Sequence, residues 1–333
     1  MLRFHSYIRS RLLIPIVALL LLTSALPTVA AAAKADDGVA DNVTIMIDGE
    51  KAKLADPVRM KDGRLFLPIA SVASLLKAKA KWDQDNEAVT IQSARGDKIV
   101  LSNGVPIVYF NDSRYRMDTV PFLDDGRMYI PLRAVAELLH ATVKWETETQ
   151  VAEITQIEPA VVTAEYGLAE IGEQFGVSKA ALLKRNGLKA AEEVKEGAKL
   201  RVVIPSIFDD EAEPYSKDDY TLLAKIIQVE SGYESYEGQL AVANVVLNRV
   251  KDPRFPKSIK DVIYSGKQFP AAHNGILQKS VPNASVLRAA KDALNGKNNV
   301  KDAVYFYDPR VSKGSFWSGL DTIATIGTHR FAK

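Results

Sequence analysis

The sequence predicts a multidomain α+β protein, and three observations carry that expectation. A stretch of 31 residues, KDGRLFLPIASVASLLKAKAKWDQDNEAVTI, recurs without gaps 63 positions later as DDGRMYIPLRAVAELLHATVKWETETQVAEI. Residues 165–205 follow the order strand, helix, helix, strand. Beyond them the run LLAKIIQV opens a helical stretch with an apolar face of its own. A chain of 333 residues has room for two or three domains. An apolar fraction of 47% and a charged fraction of 25% are ordinary for folded globular protein.

The N-terminus reads differently. Arg3, Arg9 and Arg11 precede the apolar run LLIPIVALLLL, and the small residues of TSALPTVAAAA follow it. That is the pattern of a secretory signal peptide over residues 1–33, with cleavage expected between Ala30 and Ala35. The run is short for a membrane span, so none is expected after cleavage; an uncleaved anchor is the alternative. The absence of cysteine excludes disulfides, thiolate metal sites and lipid-modified cysteine anchors. An exported protein without disulfides rests on ordinary hydrophobic cores, which suits a bacterial cell surface.

The formal net charge of +2 conceals an asymmetry. Residues 220–333 carry 16 Lys and Arg against 9 Asp and Glu, whereas residues 34–219 sum to −8. A basic C-terminal part points to an anionic partner, and outside a bacterium that means wall polymers rather than nucleic acid. A merely solvated basic surface is the alternative.

Within the repeat, Gly63 and Gly126, Pro68 and Pro131, Leu75 and Leu138, and Trp82 and Trp145 coincide. Each copy reads as turn, short strand closed by proline, helix, then hairpin. Helices are expected over residues 71–77 and 134–140. The motif "DGR-x-hydrophobic-x-P", then a helix and "V-x-W-(D/E)", resembles the N-terminal domain family named after copper amine oxidases, over residues 42–156. The name implies no amine oxidation, because His140 is the only histidine there and cannot hold copper alone. Trp82 and Trp145 are read as core anchors, with sugar stacking as the alternative.

Residues 160–205 form the next unit. Leu168, Ile171 and Phe175 share a helical face, Ser178 is an N-cap candidate, and Asn186-Gly187 ends the second helix. Residues 199–204 are expected as a strand. "IGEQFGVS", "LLKRNGL" and "VKEGAKLRV" resemble a LysM module, a βααβ fold that binds N-acetylglucosamine-containing glycans. The usual entry "GDTL" is replaced by Glu165-Tyr166-Gly167-Leu168, which bears on the sugar groove; a purely structural copy is the alternative. Residues 206–219, SIFDDEAEPYSKDD, are acidic with few aliphatics and read as an exposed linker.

The last unit, residues 220–333, holds the candidate site. Leu223, Ile226, Ile227 and Glu230 fall on one helical face, and Ser231-Gly232 is a helix stop. A carboxylate on a core-facing stripe is costly unless paired or protonated. Burial and the negative end of the helix dipole both favour the neutral acid, as a general acid for glycoside cleavage requires. The alternative is a structural glutamate paired with an arginine such as Arg249.

The stretch VESGYESYEGQLAVANVVLNRV resembles the signature of the spore cortex-lytic and cell wall hydrolase family. FPKSIKDVIYSGKQF, AVYFYDP and GTHRF resemble its further motifs in order. The resemblance implies a mainly α, lysozyme-like catalytic domain that cuts the peptidoglycan glycan backbone, in a protein secreted to the cell wall or spore envelope. It places Glu230 at the catalytic acid position and Glu234 at a second, supporting acidic position. Gln239 and Arg249 brace the site. Gln268, Phe269, Tyr307 and Trp317 are candidates to line the sugar cleft, and His329 to orient a neighbour. Tyr307-Asp308 stands where histidine-asparagine is commoner, so Asp308 could shift the site's pKa or act as a second carboxylate.

Hydrolysis with retention or inversion uses two carboxylates, and only Glu230 is compelling. The family resemblance implies lytic transglycosylation, in which the muramic acid 6-hydroxyl attacks its own anomeric carbon and one glutamate serves as acid and then base. A hydrolytic muramidase or glucosaminidase with a second carboxylate stays open, as does a non-catalytic wall-binding scaffold. No metal cofactor is expected, because His273 and His329 lie far apart without clustered acids. No glycine-rich phosphate loop occurs, so no nucleotide is implied. The expected partners are peptidoglycan glycan strands.

Overall fold

A computed structural model describes residues 38–266 and 269–333; the segment expected to be a signal peptide and Gln268 lie outside them. Each DGR motif closes a two-residue hairpin. Asp62 and Gly63 have φ of 49° and 72°, and Asp125 and Gly126 have φ of 45° and 72°. Two successive positive φ values are the type I′ turn that Asp-Gly favours.

The strands leaving these turns, Arg64–Pro68 and Arg127–Pro131, pair antiparallel with each other. Phe66 faces Pro131, Leu67 faces Ile130 and Pro68 faces Tyr129. Equivalent positions of the two stretches thus exchange partners about a local two-fold axis at Leu67 and Ile130. These two residues lie in the core beneath a five-stranded sheet. Helices α1 (Ile69–Leu75) and α2 (Leu132–Leu138) follow at once. They begin two residues earlier than apolar spacing predicts, because each strand-ending proline is itself the N-cap.

The hairpins then diverge. Lys79–Asp83 and Ala88–Gln92 continue into an antiparallel sheet with Lys98–Ser102, Ile107–Phe110 and Ser113–Arg116. Ala141–Glu146 and Val151–Gln156 instead take Thr44–Ile47 as a parallel neighbour. The tryptophans diverge with them. Trp82 packs on the core, and its indole N–H donates to Gln84 Oε1 at 2.9 Å. Trp145 is 38% exposed, so the expectation of a second core anchor is corrected. It stands near the end of a strand whose last three residues all face solvent.

In residues 160–205, Ala160–Val161 pairs antiparallel with Lys199–Leu200 and encloses α3 (Leu168–Phe175) and α4 (Lys179–Asn186). Ser178 Oγ accepts from the Ala181 N–H, and Gly187 ends α4 in the left-handed region. This module is pinned to the N-terminal domain. Arg185 donates to both oxygens of Asp97, at 3.2 and 2.8 Å, and Arg201 adds a bond at 2.6 Å. Asp97 and Arg185 are fully buried. His140 is a second pin. Burial pushes its pKa down to about 4, so the ring is neutral at pH 7. Its Nε2 accepts from the Val202 and Val203 N–H groups, and Nδ1–H donates to the Ile157 carbonyl at 2.8 Å.

Residues 206–219 are exposed for the most part, as a linker would be, but the segment is anchored at its start. Ile207 and Phe208 are buried in the N-terminal core, and Phe208 stacks on Tyr115 with centroids 4.7 Å apart. Two apolar side chains amid acids were enough to dock the segment.

The C-terminal domain packs α5 (Lys217–Ser231), α6 (Tyr236–Lys251) and α9 (Ala284–Leu294) around a shared core. Between α6 and α9 lie α7 (Ile259–Tyr264) and α8 (Ile276–Lys279). Helix α6 is apolar nearly all round because its far side packs, through Val242 and Val245, with Phe331 of a three-stranded sheet. His329–Ala332 is the central strand, flanked by Tyr305–Tyr307 and Thr322–Ile326. A short α10 (Ser315–Ser318) links the sheet's first two strands. No described helix is long and apolar enough to cross a membrane.

Candidate active site

Glu230 lies in the last turn of α5. Leu223, Ile226 and Ile227 below it are fully buried, and Glu230 itself is half-buried. Among the described residues no hydrogen bond or ion pair reaches its carboxylate. Burial alone pushes its carboxyl above the ordinary value of 4.5. Arg249 is not its partner. That guanidinium is buried, donates from Nε to the Val304 carbonyl at 2.7 Å, and lies over the rings of Phe255, Phe269 and Tyr305. Desolvation lowers its pKa to about 10, and it remains charged at pH 7.

The helix stop at Gly232 works by space rather than by a left-handed turn. Its φ is −60°, and a Cβ there would collide with the Gln228 carbonyl and side-chain amide. Gln228 Oε1 accepts from the Asn283 N–H at 2.8 Å, and Asn283 Nδ2 donates to the Gly232 carbonyl at 3.2 Å. Gln239 braces the same loop. Its Nε2 donates to the Glu234 carbonyl at 2.9 Å, and its Oε1 accepts from Ser285 at 2.7 Å. The backbone carrying Glu230 is therefore held from α6 and α9 while its side chain is left unpaired.

Glu234 occupies the loop between α5 and α6. Its carboxylate accepts from the Thr328 hydroxyl and lies 3.7 Å from His329 Nδ1. That Nδ1 is buried and makes no hydrogen bond. Asp308 is held differently. Arg310 grips both its oxygens, at 2.9 and 2.6 Å, and these hydrogen bonds hold its pKa at about 2. A carboxylate so engaged is a poor general base.

The other cleft candidates separate. Phe269 is 1% exposed inside the helical core, so it supports a wall and presents no ring to a sugar. Tyr307 is also buried, and its hydroxyl donates to the Trp317 carbonyl at 3.1 Å. Its ring lies 4.8 Å from that of Trp317, so it props Trp317 and both aromatic expectations are corrected. Trp317 is half-buried and keeps some open surface. The sequence reading missed two aromatic residues. Tyr233, between the two glutamates, is fully exposed, and Phe316, beside Trp317, is 56% exposed. The signal was present in the unpaired aromatic of SGYES, off every helical stripe.

Residues 233–332 match the Cell Wall Hydrolase family, and residues 46–154 match the copper amine oxidase N-terminal domain family. Glu230 lies just before the first of these matches. The spore cortex-lytic enzyme of Bacillus subtilis strain 168 is 35% identical over 119 residues, which is 36% of this chain and 39% of that protein. The spore cortex-lytic enzyme of Halalkalibacterium halodurans is 36% identical over 137 residues, or 38% of this chain and 41% of that protein. The chain therefore spans about two fifths of the length of these curated relatives. The solved catalytic domain of the germination-specific lytic transglycosylase SleB of Bacillus anthracis is 34% identical. It covers 37% of this chain and 99% of that structure, with a TM-score of 0.35. The C-terminal part of the chain is thus similar to cell wall hydrolases, and the N-terminal part to copper amine oxidase N-terminal domains.

Proposed function

We propose that the protein is a secreted peptidoglycan-cleaving enzyme, a lytic transglycosylase acting between the sugars of the glycan backbone in spore cortex lysis at germination. The observation that carries this reading is the half-buried, unpaired Glu230 at the end of α5. Burial raises the Glu230 carboxyl and so favours the protonated form that can give its proton to the glycosidic oxygen. As the C–O bond breaks, that proton moves to the leaving oxygen. The muramic acid 6-hydroxyl then attacks the anomeric carbon, and the Glu230 carboxylate takes the hydroxyl proton. The products are an anhydromuramic end and a free 4-hydroxyl on the departing strand. One carboxylate suffices, which agrees with the engagement of Asp308 by Arg310. Tyr233 and Trp317 are assigned to stack on sugars, and the exposed surface of Tyr233 supports this.

Residues 160–205 are assigned as a LysM-like glycan-binding module, and residues 42–156 as a duplicated domain. The hydrolytic reading keeps one observation in its favour, because Glu234 is a second carboxylate only four residues from Glu230. Mass spectrometry of fragments released from purified cortex and vegetative peptidoglycan by wild type and Glu230→Gln separates the readings. Anhydromuramic ends that vanish in the variant are expected. Reducing ends would establish hydrolysis, equal release by the variant would sink the site, and no release by either protein would favour a binding scaffold.

A further inference from the structure

The N-terminal domain holds a cavity of about 710 Å³, lined among others by Arg64, Arg116, Leu132, Arg133, Val143 and Trp145. Its size suits a small oligosaccharide rather than a single sugar. Trp145 supplies its aromatic wall. The contrast with Trp82 is informative, since the two occupy the same position in the repeat. Trp82 is packed on the core and its N–H is satisfied by Gln84. Trp145 is exposed, and among the described residues its N–H has no partner. An exposed indole with a free donor, set in a concave wall, has the form of a sugar platform.

The summed charge of the lining is balanced, and an unpaired guanidinium is what favours an anionic sugar. Arg64 is engaged by Asp118. Arg133 lines the same cavity, and among the described residues its guanidinium has no ion pair or hydrogen bond; Arg116 lines it too, but its Nη1 lies toward Gly296. Two carboxylates share the lining, Asp118, which pairs with Arg64, and Asp210; Glu137 in the adjoining hollow accepts from the Ser206 N–H. Arg133 also has no counterpart in the first copy of the repeat, where Ala70 takes its place. A free guanidinium is a planar fork suited to a carboxylate.

The cavity also has an extension. A second hollow of about 350 Å³ shares Arg133 and Val143 with it and is walled on its other side by Phe175, Val177 and Val202 of the βααβ module. The two together form a trough that crosses from one unit to the next, and Arg185 and His140 hold those units in fixed register. A rigid trough of this kind fits a linear polymer.

We infer that this trough is a second glycan-binding site, remote in sequence from the catalytic domain, and that it takes a carboxylate-bearing strand of peptidoglycan. Trp145 stacks on a sugar ring, and Arg133 meets a lactyl or stem-peptide carboxylate. The choice of peptidoglycan rests on the proposed function; the trough itself does not.

The test uses the full chain carrying Glu230→Gln, so that bound strands are not cut. Co-sedimentation with purified peptidoglycan sacculi is compared for that protein and for the same protein with Trp145→Ala or with Arg133→Glu. Each added substitution is expected to weaken binding about tenfold, the size of one lost stacking or charge-assisted contact. Arg133 is exposed, so Arg133→Glu leaves the fold intact and decides the matter if Trp145→Ala does not fold. Chitohexaose, which has no carboxylate, is the second probe. Its binding should fall with Trp145→Ala and be unchanged with Arg133→Glu. Undiminished binding of sacculi by both variants overturns the site, and loss of chitohexaose binding in Arg133→Glu overturns the carboxylate assignment. A wild type that cuts no peptidoglycan, beside variants that lose binding to it, would remove the proposed function and leave the trough standing.

Discussion

Gly327 lies directly against the carboxylate of Glu234, so closely that a Cβ on Gly327 would overlap the Glu234 oxygens. The hairpin tip of Gly327 and Thr328 thus clamps the loop that joins Glu230 to α6. Gly327 also has φ of 58°, which L side chains adopt at a cost. Gly327→Ala is expected to destabilise the protein by about 1–3 kcal/mol and to lower turnover about tenfold or more by displacing the loop. Thermal unfolding and glycan-release assays read the two effects, and wild-type values in both would show that the clamp is dispensable.

Glu230 has a pH signature. Its carboxyl is raised above the ordinary 4.5, so the folded state binds this proton more tightly than the unfolded chain. Its unfavourable contribution is absent below pH 4.5 and grows as pH rises through the folded-state pKa. Glu230→Gln should therefore match wild type in stability at acid pH and exceed it at neutral and alkaline pH. The activity of wild type should fall on the alkaline side as the acid form is lost. Denaturant titrations at a series of pH values check the first claim, and parallel pH dependence in the two proteins would refute it.

Tyr233 is expected to act on substrate and on nothing else. Because its side chain is fully exposed, Tyr233→Ala should change stability by less than about 0.5 kcal/mol. KM for glycan strands should rise about tenfold with little change in kcat, as for the loss of uniform binding. An unchanged KM would return Tyr233 to the ordinary surface.

Asp97 tests the joint between the first two units. Burial would raise its carboxyl, but the hydrogen bonds and charge of Arg185, with Asn111 and Arg201, outweigh it and hold the group below 3.8. A depressed pKa contributes stability that is present above that value and lost as pH falls through the folded-state pKa. Asp97→Ala leaves Arg185 buried without its counter-ion and should cost about 3–5 kcal/mol at pH 7. The deficit should shrink on acidification. A small cost, independent of pH, would mean that water reaches Arg185.

Several features were legible without coordinates because they obey local rules. Asp-Gly demands positive φ, so the two turns were readable from two letters each. Ser178 and Gly187 bound α4 for reasons carried within a single turn of backbone. The 3.6-residue spacing of Leu223, Ile226 and Ile227 put Glu230 on the buried face before any fold was known.

What escaped depends on partners distant in the chain. Trp82 and Trp145 sit in matching motifs, yet one turns to the core and the other to a trough, because the neighbouring strands differ. The segment 206–219 reads as polar, yet Phe208 finds Tyr115 and Phe110 across the N-terminal domain. Phe269 and Tyr307 look like cleft aromatics until the packing of Arg249 and Trp317 against them is seen. Above all, periodicity could place Glu230 at the edge of the core but could not say whether Arg249 would neutralise it. The fold sends that arginine to the Val304 carbonyl and three aromatic rings, and among the described residues the glutamate is left without a counter-charge. Helical phase is set by residues within one turn, whereas the partner of a buried charge is set by which helices and strands meet around it.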